Sequence, residues 1–457
     1  MRSTDSTRPA RPAGADGRPH TTIDATERLT DGHRERRRWR PTAPPDALVA
    51  GAPRGGRAAA VVALGFVAML ASSPGQSYWL ALFVDDMIAG TGLSRTGFSV
   101  VYALATVCSA FMVLLVGGLF DRRGPAATWA TVACGLAAGG LLMSVATGPA
   151  VAIVGLAMLR AFGQGSFPLV STLLVAGTFD AWRGRALSVA HLGSTLAAAA
   201  LPAVAAALIA SFGWRTGLQL TAAAVIGVIA PLALLVRLVL GPRTPVARVR
   251  RRPHPRRVVR SARARVRRFP WRDGGGVLLM TLSAAPLVST AAVFHATSLL
   301  GASGLGVGEA AAALSVLAIG SAAGAIAGGA VVDRLGVRAS LVLMNVLLTA
   351  GVVLLIVPSA AGGFAGFAVL GLAAGVNGTG SGAAWARTFG VGRLGELQGV
   401  GESARIGAAA LGPLPLALAL SLTGSYAAGL AVLAVLALGC AAAGLRLPRP
   451  VTQPATA

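Results

Sequence analysis

The chain has 457 residues, 54% hydrophobic and 12% charged, with mean hydropathy +0.70; soluble domains carry roughly 25% charged residues, so a soluble globular fold is excluded. The formal net charge is +24 and all 40 basic residues are arginine, which removes a Walker phosphate loop and a Schiff-base enzyme, since both need lysine. An ATP-driven pump acting on its own is excluded with them, and an ion or solute gradient is left as the energy source.

Residues 1 to about 57 are rich in Arg, Pro, Thr and Asp and lack apolar periodicity. They are expected to form a disordered cytoplasmic tail, because such a segment cannot bury enough surface to fold. It is too long and too polar for a signal peptide. A solvated tail that helps set topology is the plain reading, and binding to anionic lipid headgroups is the other.

Apolar stretches long enough to cross roughly 30 Å of hydrocarbon follow at 58–82, 97–119, 126–146, 149–177, 186–210 and 217–239 (spans 1 to 6). After a polar stretch, six more come at 275–299, 307–331, 339–358, 362–384, 400–421 and 425–446 (spans 7 to 12). Cys108, Cys134 and Cys440 all fall inside these runs, where thiols are usually inert.

One short turn occurs twice. Gly117-Gly118-Leu119-Phe120-Asp121-Arg122-Arg123-Gly124 follows span 2, and Gly329-Ala330-Val331-Val332-Asp333-Arg334-Leu335-Gly336 follows span 8, at an offset of 212 residues. With no gap, the same shift pairs Pro74 with Pro286, Gly92 with Gly304, Leu93 with Leu305 and Ser109 with Ser321. The expected fold is therefore all-α and integral to a membrane: twelve transmembrane helices in two six-helix bundles, 58–240 and 274–446, related by a pseudo-two-fold axis along the membrane normal. Glycines in the turns permit close backbone approach, and the aspartate can face the positive end of a neighbouring helix, so the pair reads as a conformational switch. A tight charged connection is the simpler account.

Arginine placement sets the orientation, since basic loops stay in the cytoplasm. With the N-terminus inside, the outside loops hold just Arg95 and Arg215, and both termini are cytoplasmic. The 241–273 loop, with its Arg-Pro runs, reads as a basic linker drawn to anionic lipid at about 1 kcal/mol per nearby Arg. It allows one helical segment around Val258 to Arg268. Nucleic acid is not an expected partner, because aromatics are 5% of the chain and no stacking residues accompany the charge.

Several polar residues inside spans are candidates for solute or proton contacts. Arg160 lies near the middle of span 4, where a cation costs at least about 2.5 kcal/mol unless it meets a cavity or partner. Its mate at the repeat offset is Leu372, an asymmetry that favours transport over a buried hydrogen-bond hub. Glu402 and Arg405 are spaced i, i+3 in span 11 and read either as a self-neutralising pair or as a site where Arg405 meets an anion. His295 in span 7 reads as a proton-coupling group or as a packed residue, and His191 in span 5 as packed. Gln76, Tyr102 and Gln164 are weaker solute contacts, while Pro74 and Pro286 are expected to interrupt spans 1 and 7. Asp85 and Asp86 read as a solvated helix end, and the Gly320, Gly324, Gly328 row needs close helix packing alone. No cofactor or metal is expected.

The twelve spans, the two Gly-x-x-x-Asp-Arg-x-Gly turns and the long central loop resemble the major facilitator superfamily of secondary transporters over residues 58 to 446. Local patterns narrow the resemblance: Pro74-Gly75-Gln76-Ser77, Gly92-Leu93-Ser94-Arg95, Phe162-Gly163-Gln164-Gly165-Ser166, Arg183-Gly184-Arg185-Ala186, Phe294-His295 and Gly412-Pro413-Leu414-Pro415. Together they are similar to the bacterial monocarboxylate-transporter-like and oxalate–formate exchanger branch. Pro125 and Ala126 stand where the family's first turn usually continues with a basic residue. The resemblance implies that Arg160 corresponds to the span-4 arginine, with Gln164 one residue later than the usual spacing. It also implies that Arg405 corresponds to a cationic span-11 residue facing an anionic substrate. The function so implied is alternating-access transport of a small organic anion, proton-coupled or by exchange, by a monomer in a bacterial cytoplasmic membrane. Proton-driven efflux of lipophilic compounds is the alternative.

Overall fold

The computed structural model describes residues 56–179, 183–241, 267–390 and 394–447, and among them there is helix and short turn but no strand. Nearly all of the N-terminal tail, most of the 241–273 linker including residues 258–266 of its expected helical segment, and the stretch after Leu447 lie outside the described residues.

Span 1 begins as Gly56–Ala71 and ends, after a break, as Val84–Thr91. Spans 2 and 3 share Arg95–Ser144, span 4 runs through Pro149–Met158 and Phe167–Ala176, and spans 5 and 6 occupy Arg183–Ala224 and Leu232–Leu240. In the second half, span 7 covers Gly276–Phe294 and Ala296–Gly301, and spans 8 and 9 share Val307–Ile356. Span 10 is Ala360–Phe389, span 11 is Leu394–Leu411 with Pro413–Thr423, and span 12 is Ala427–Gly444.

The stretches of 50 residues would be about 75 Å long if straight, far beyond a bilayer core of about 30 Å. They are broken at glycine. Gly124 (φ 79°, ψ 176°) and Gly336 (φ 81°, ψ 172°) adopt the same conformation, one that a side chain makes costly, and Gly213 (φ 74°, ψ 161°) does likewise between spans 5 and 6. Divided at these breaks, the long apolar helices give twelve crossings among the described residues. Gly124 and Gly336 stand at the repeat offset, and so do Gly92 (φ 69°) and Gly304 (φ 75°), so the two bundles repeat their turns as well as their sequence.

Several expectations need adjusting. Helix continues beyond the apolar runs: span 10 extends to Phe389 and span 11 starts at Leu394, because helical hydrogen bonds persist where the chain leaves hydrocarbon and hydropathy falls. Pro286 does not interrupt span 7, whose helix runs through it to Phe294 and breaks at His295 instead. Pro74 does sit in a break, a 3-10 turn at Ser73–Gly75. His191 is exposed on the helix surface and not packed, and Cys108 and Cys134 are exposed while Cys440 is buried. Gly320, Gly324 and Gly328 pack on the backbone of span 10, where a Cβ at Gly320 would meet Ala368 O at 2.6 Å.

Candidate functional site

Spans 1 and 4 cross where both depart from regular helix. After the 3-10 turn, Gln76 is extended (φ −83°, ψ 153°), which frees carbonyls of the preceding turn, and Leu159–Ser166 is π-helical. A π segment accommodates one extra residue, which matches the late position of Gln164 relative to Arg160. The backbones touch at glycine: a Cβ on Gly75 would come to 2.7 Å from Gly163 Cα, and one on Gly163 to 2.6 Å from Gly75 N.

Arg160 fills this crossing and is 1% exposed. Its Nη1 donates to Gly75 O at 2.9 Å and to Ser77 Oγ at 3.4 Å, while Nη2 and Nε donate to Thr106 Oγ1 at 3.0 and 3.2 Å. The guanidinium lies 4.4 Å from the centre of the Tyr102 ring, and the Tyr102 hydroxyl is 2.7 Å from Ser77 Oγ. No carboxylate pairs with Arg160 among the described residues; carbonyl, hydroxyls and an aromatic face take its charge. Gln76 donates from Nε2 to Ser72 Oγ at 3.1 Å, and Gln164 is half-buried with Oε1 unpartnered.

In the second half, Arg405 Nη1 donates to Glu402 Oε2 at 3.1 Å and reaches Ser381 Oγ on span 10 at 3.5 Å. Glu402 is the more exposed partner, with 60% of its side chain accessible against 25% for Arg405, and Arg405 Nε is buried without a partner. Arg160 and Arg405 therefore occupy separate sites, one in each bundle.

His295 is fully buried at the break in span 7. Its Nε2 is 3.0 Å from Pro413 O, and since a carbonyl can only accept, this nitrogen carries the proton. Nδ1 is then the acceptor for the Tyr426 hydroxyl at 3.4 Å, and Tyr426 is 2.8 Å from Ser298 Oγ.

The two paired turns differ in their surroundings. Asp333 Oδ1 receives Arg387 Nη2 at 2.7 Å, and the same arginine donates to Val332 O at 2.7 Å. Asp121 is exposed and has no ion pair among the described residues; the position matching Arg387 at the repeat offset is Val175. Arg122 and Arg334 are exposed. The close approach expected at the first turn glycines is not made in this conformation: a Cβ on Gly117 would meet Leu169 Cδ2 at 3.9 Å, and one on Gly329 nothing within 4 Å.

The residues joining the two bundles were not foreseen. Asp85 is no simple solvated end: its Oδ1 accepts from Arg95 Nη2 at 2.6 Å and its Oδ2 from Thr297 Oγ1 at 2.7 Å. Below lie Phe98 and Tyr102 of the first bundle, 6.1 and 4.7 Å between ring centres from Phe294 of the second. The repeat offset itself pointed to the contact, since Asp85 and Thr297 are mates. Elsewhere, an apolar groove of about 550 Å³ runs between spans 1 and 5, lined by residues including Ala59, Val62, Phe66 and Val189. Among the described residues no group of three His, Cys, Asp or Glu side chains converges as a metal would need.

The family model of the Major Facilitator Superfamily matches residues 60–312, more than half of the chain. No curated protein matches by sequence. Among solved structures, the chain is similar to a bacterial homolog of the human lysosomal transporter Spinster in an inward-facing, unoccupied conformation, at 14% identity and TM-score 0.68, covering 86% of this chain and 97% of that one. It is similar also to the nucleoside transporter NupG, in a D323A mutant, at 12% identity and TM-score 0.70, covering 85% and 100%. With twelve crossings, a repeated bundle and this family match, the chain belongs to the major facilitator superfamily and is a multi-pass membrane transporter of small solutes, not an enzyme.

Proposed function

We propose that the chain moves a small, monocarboxylate-like organic anion by alternating access, coupled to protons or in exchange. The observation that carries this reading is the span-11 pair. Arg405 lies inside an apolar span, where a cation without partner or cavity costs at least about 2.5 kcal/mol, and its partner Glu402 is held by one hydrogen bond of 3.1 Å. A buried Nε remains free to donate. An incoming carboxylate competes with Glu402 for Arg405, and a proton on Glu402 removes that competition by neutralising its charge. Anion and proton then travel together, or one anion replaces another.

Uptake of short carboxylates into proteoliposomes, with and without an imposed pH gradient, tests this. Arg405→Ala should abolish uptake, and Glu402→Gln should retain exchange while losing its response to the gradient. Uptake by Arg405→Ala at the parent rate would overturn the site. In this reading Arg160 holds the broken span 1 beside the solute path, and His295, Gln76, Tyr102 and Gln164 shape its wall. The protein works as a monomer in a bacterial cytoplasmic membrane with both termini inside, its basic segments against anionic lipid headgroups.

The apolar groove between spans 1 and 5 favours a second reading, efflux of lipophilic compounds. Drug accumulation in cells that express or lack the protein separates the two.

A further inference from the structure

Asp85 and Thr297 are 212 residues apart, the repeat offset, so they are copies of one position at the ends of spans 1 and 7. A contact between two copies of one position sits on the axis that relates the bundles. We propose that this contact is the latch that closes the transporter at the Asp85 face: Thr297 is the donor, the Asp85 carboxylate the acceptor, and Arg95 the residue that holds the carboxylate in place.

Each partner is braced inside its own bundle. Arg95 takes one oxygen of Asp85 at 2.6 Å and leaves the other for Thr297. Among the described residues no further acceptor meets Arg95 Nη1, which is buried. On the other side, His295 ties the break in span 7 to span 11 through Pro413 O at 3.0 Å, and Ser298 is tied to Tyr426 at 2.8 Å. Thr297, 8% exposed, stands between these two anchors and also reaches Ala81 O at 3.4 Å. The shortest polar link that crosses between the bundles among the described residues is thus a hydroxyl on a carboxylate, with the Phe98 ring tilted and the Tyr102 ring edge-on against Phe294 beneath it as a seal. Thr96 Oγ1 adds a longer contact to Ala417 O at 3.5 Å. Two rigid ends joined by a short polar link form a contact that can part without unfolding either side.

The latch is testable without knowing the solute. In a background with Cys108→Ser, Cys134→Ser and Cys440→Ala, a single Ala105→Cys places a thiol about one turn deeper on span 2 than Tyr102, at a position 2% exposed. A membrane-impermeant maleimide is applied from the Asp85 face in sealed vesicles. The parent should be protected. Thr297→Val, which keeps the shape and removes the donor, should raise the labelling rate roughly tenfold, the scale expected for losing a hydrogen bond to a charged group. Thr297→Ser should restore protection, and Asp85→Ala should label like Thr297→Val, so the outcome does not hang on one variant folding. Equal labelling of all variants and parent, or failure of Thr297→Ser to protect, would overturn the latch. Uptake assays play no part in this readout, so failure of the anion reading leaves it standing.

Discussion

Arg160 shows what a charge inside a span needs. Among the described residues nothing acidic meets it; a carbonyl freed by the break at Gln76, two hydroxyls and a ring face share its charge. The planar fork suits this task because Nη1 and Nη2 point to different spans, Gly75 on span 1 and Thr106 on span 2. Lysine has a single ammonium on a flexible stem and cannot reproduce that geometry. Arg160→Lys should therefore lower the melting temperature in detergent and lose most uptake, while Arg160→Ala should do worse, since each carbonyl or hydroxyl left unpaired costs roughly 1–3 kcal/mol. Unchanged melting in both variants would mean that the network holds nothing together. The position of Arg160 in span 4 was legible from the sequence, but the direction of its side chain was not. Direction depends on the π turn and on the break in a different span, and neither leaves a mark in hydropathy.

At the scale of elements, glycine serves two separate purposes. At Gly75 and Gly163 there is no room for a side chain, because two backbones touch. At Gly117 there is room, so the switch reading of the sequence requires a second conformation in which the first turn closes on a neighbour. Substitution separates the cases. Gly163→Ala should force spans 1 and 4 apart and destabilise the fold by about 1–3 kcal/mol, the usual range for overpacking. Gly117→Ala should leave melting unchanged and slow turnover. Equal loss of stability in both would remove the switch reading for Gly117. Hydropathy located all twelve spans because a bilayer filters for apolar length, and the repeat located the turns because a tight corner demands glycine in both copies. Helix ends were less legible: the continuation to Phe389 and the start at Leu394 cost the chain nothing in water, so they carry no apolar signal.

For the whole molecule, the arginine asymmetry and the duplication constrain each other. The two arginines assigned to the outer loops are both engaged by protein: Arg95 holds Asp85, and Arg215 donates to Ser144 O at 2.7 Å and Ala146 O at 2.9 Å and lies 4.3 Å from the Trp214 ring centre. Arg122, Arg123 and Arg334 at the paired corners are exposed, and the orientation proposed for the chain puts them on the cytoplasmic side. Parallel duplication requires both corners on one face and the latch on the opposite one. In the cysteine-free background, Arg123→Cys and Arg334→Cys should escape an impermeant thiol reagent in intact cells and react in inside-out vesicles. Ala302→Cys, on the exposed turn after span 7, should show the reverse. Reaction of both corners in intact cells would invert the orientation but spare the duplication. Reaction of one corner without the other would break the parallel repeat, and with it the axis on which the Asp85–Thr297 contact depends.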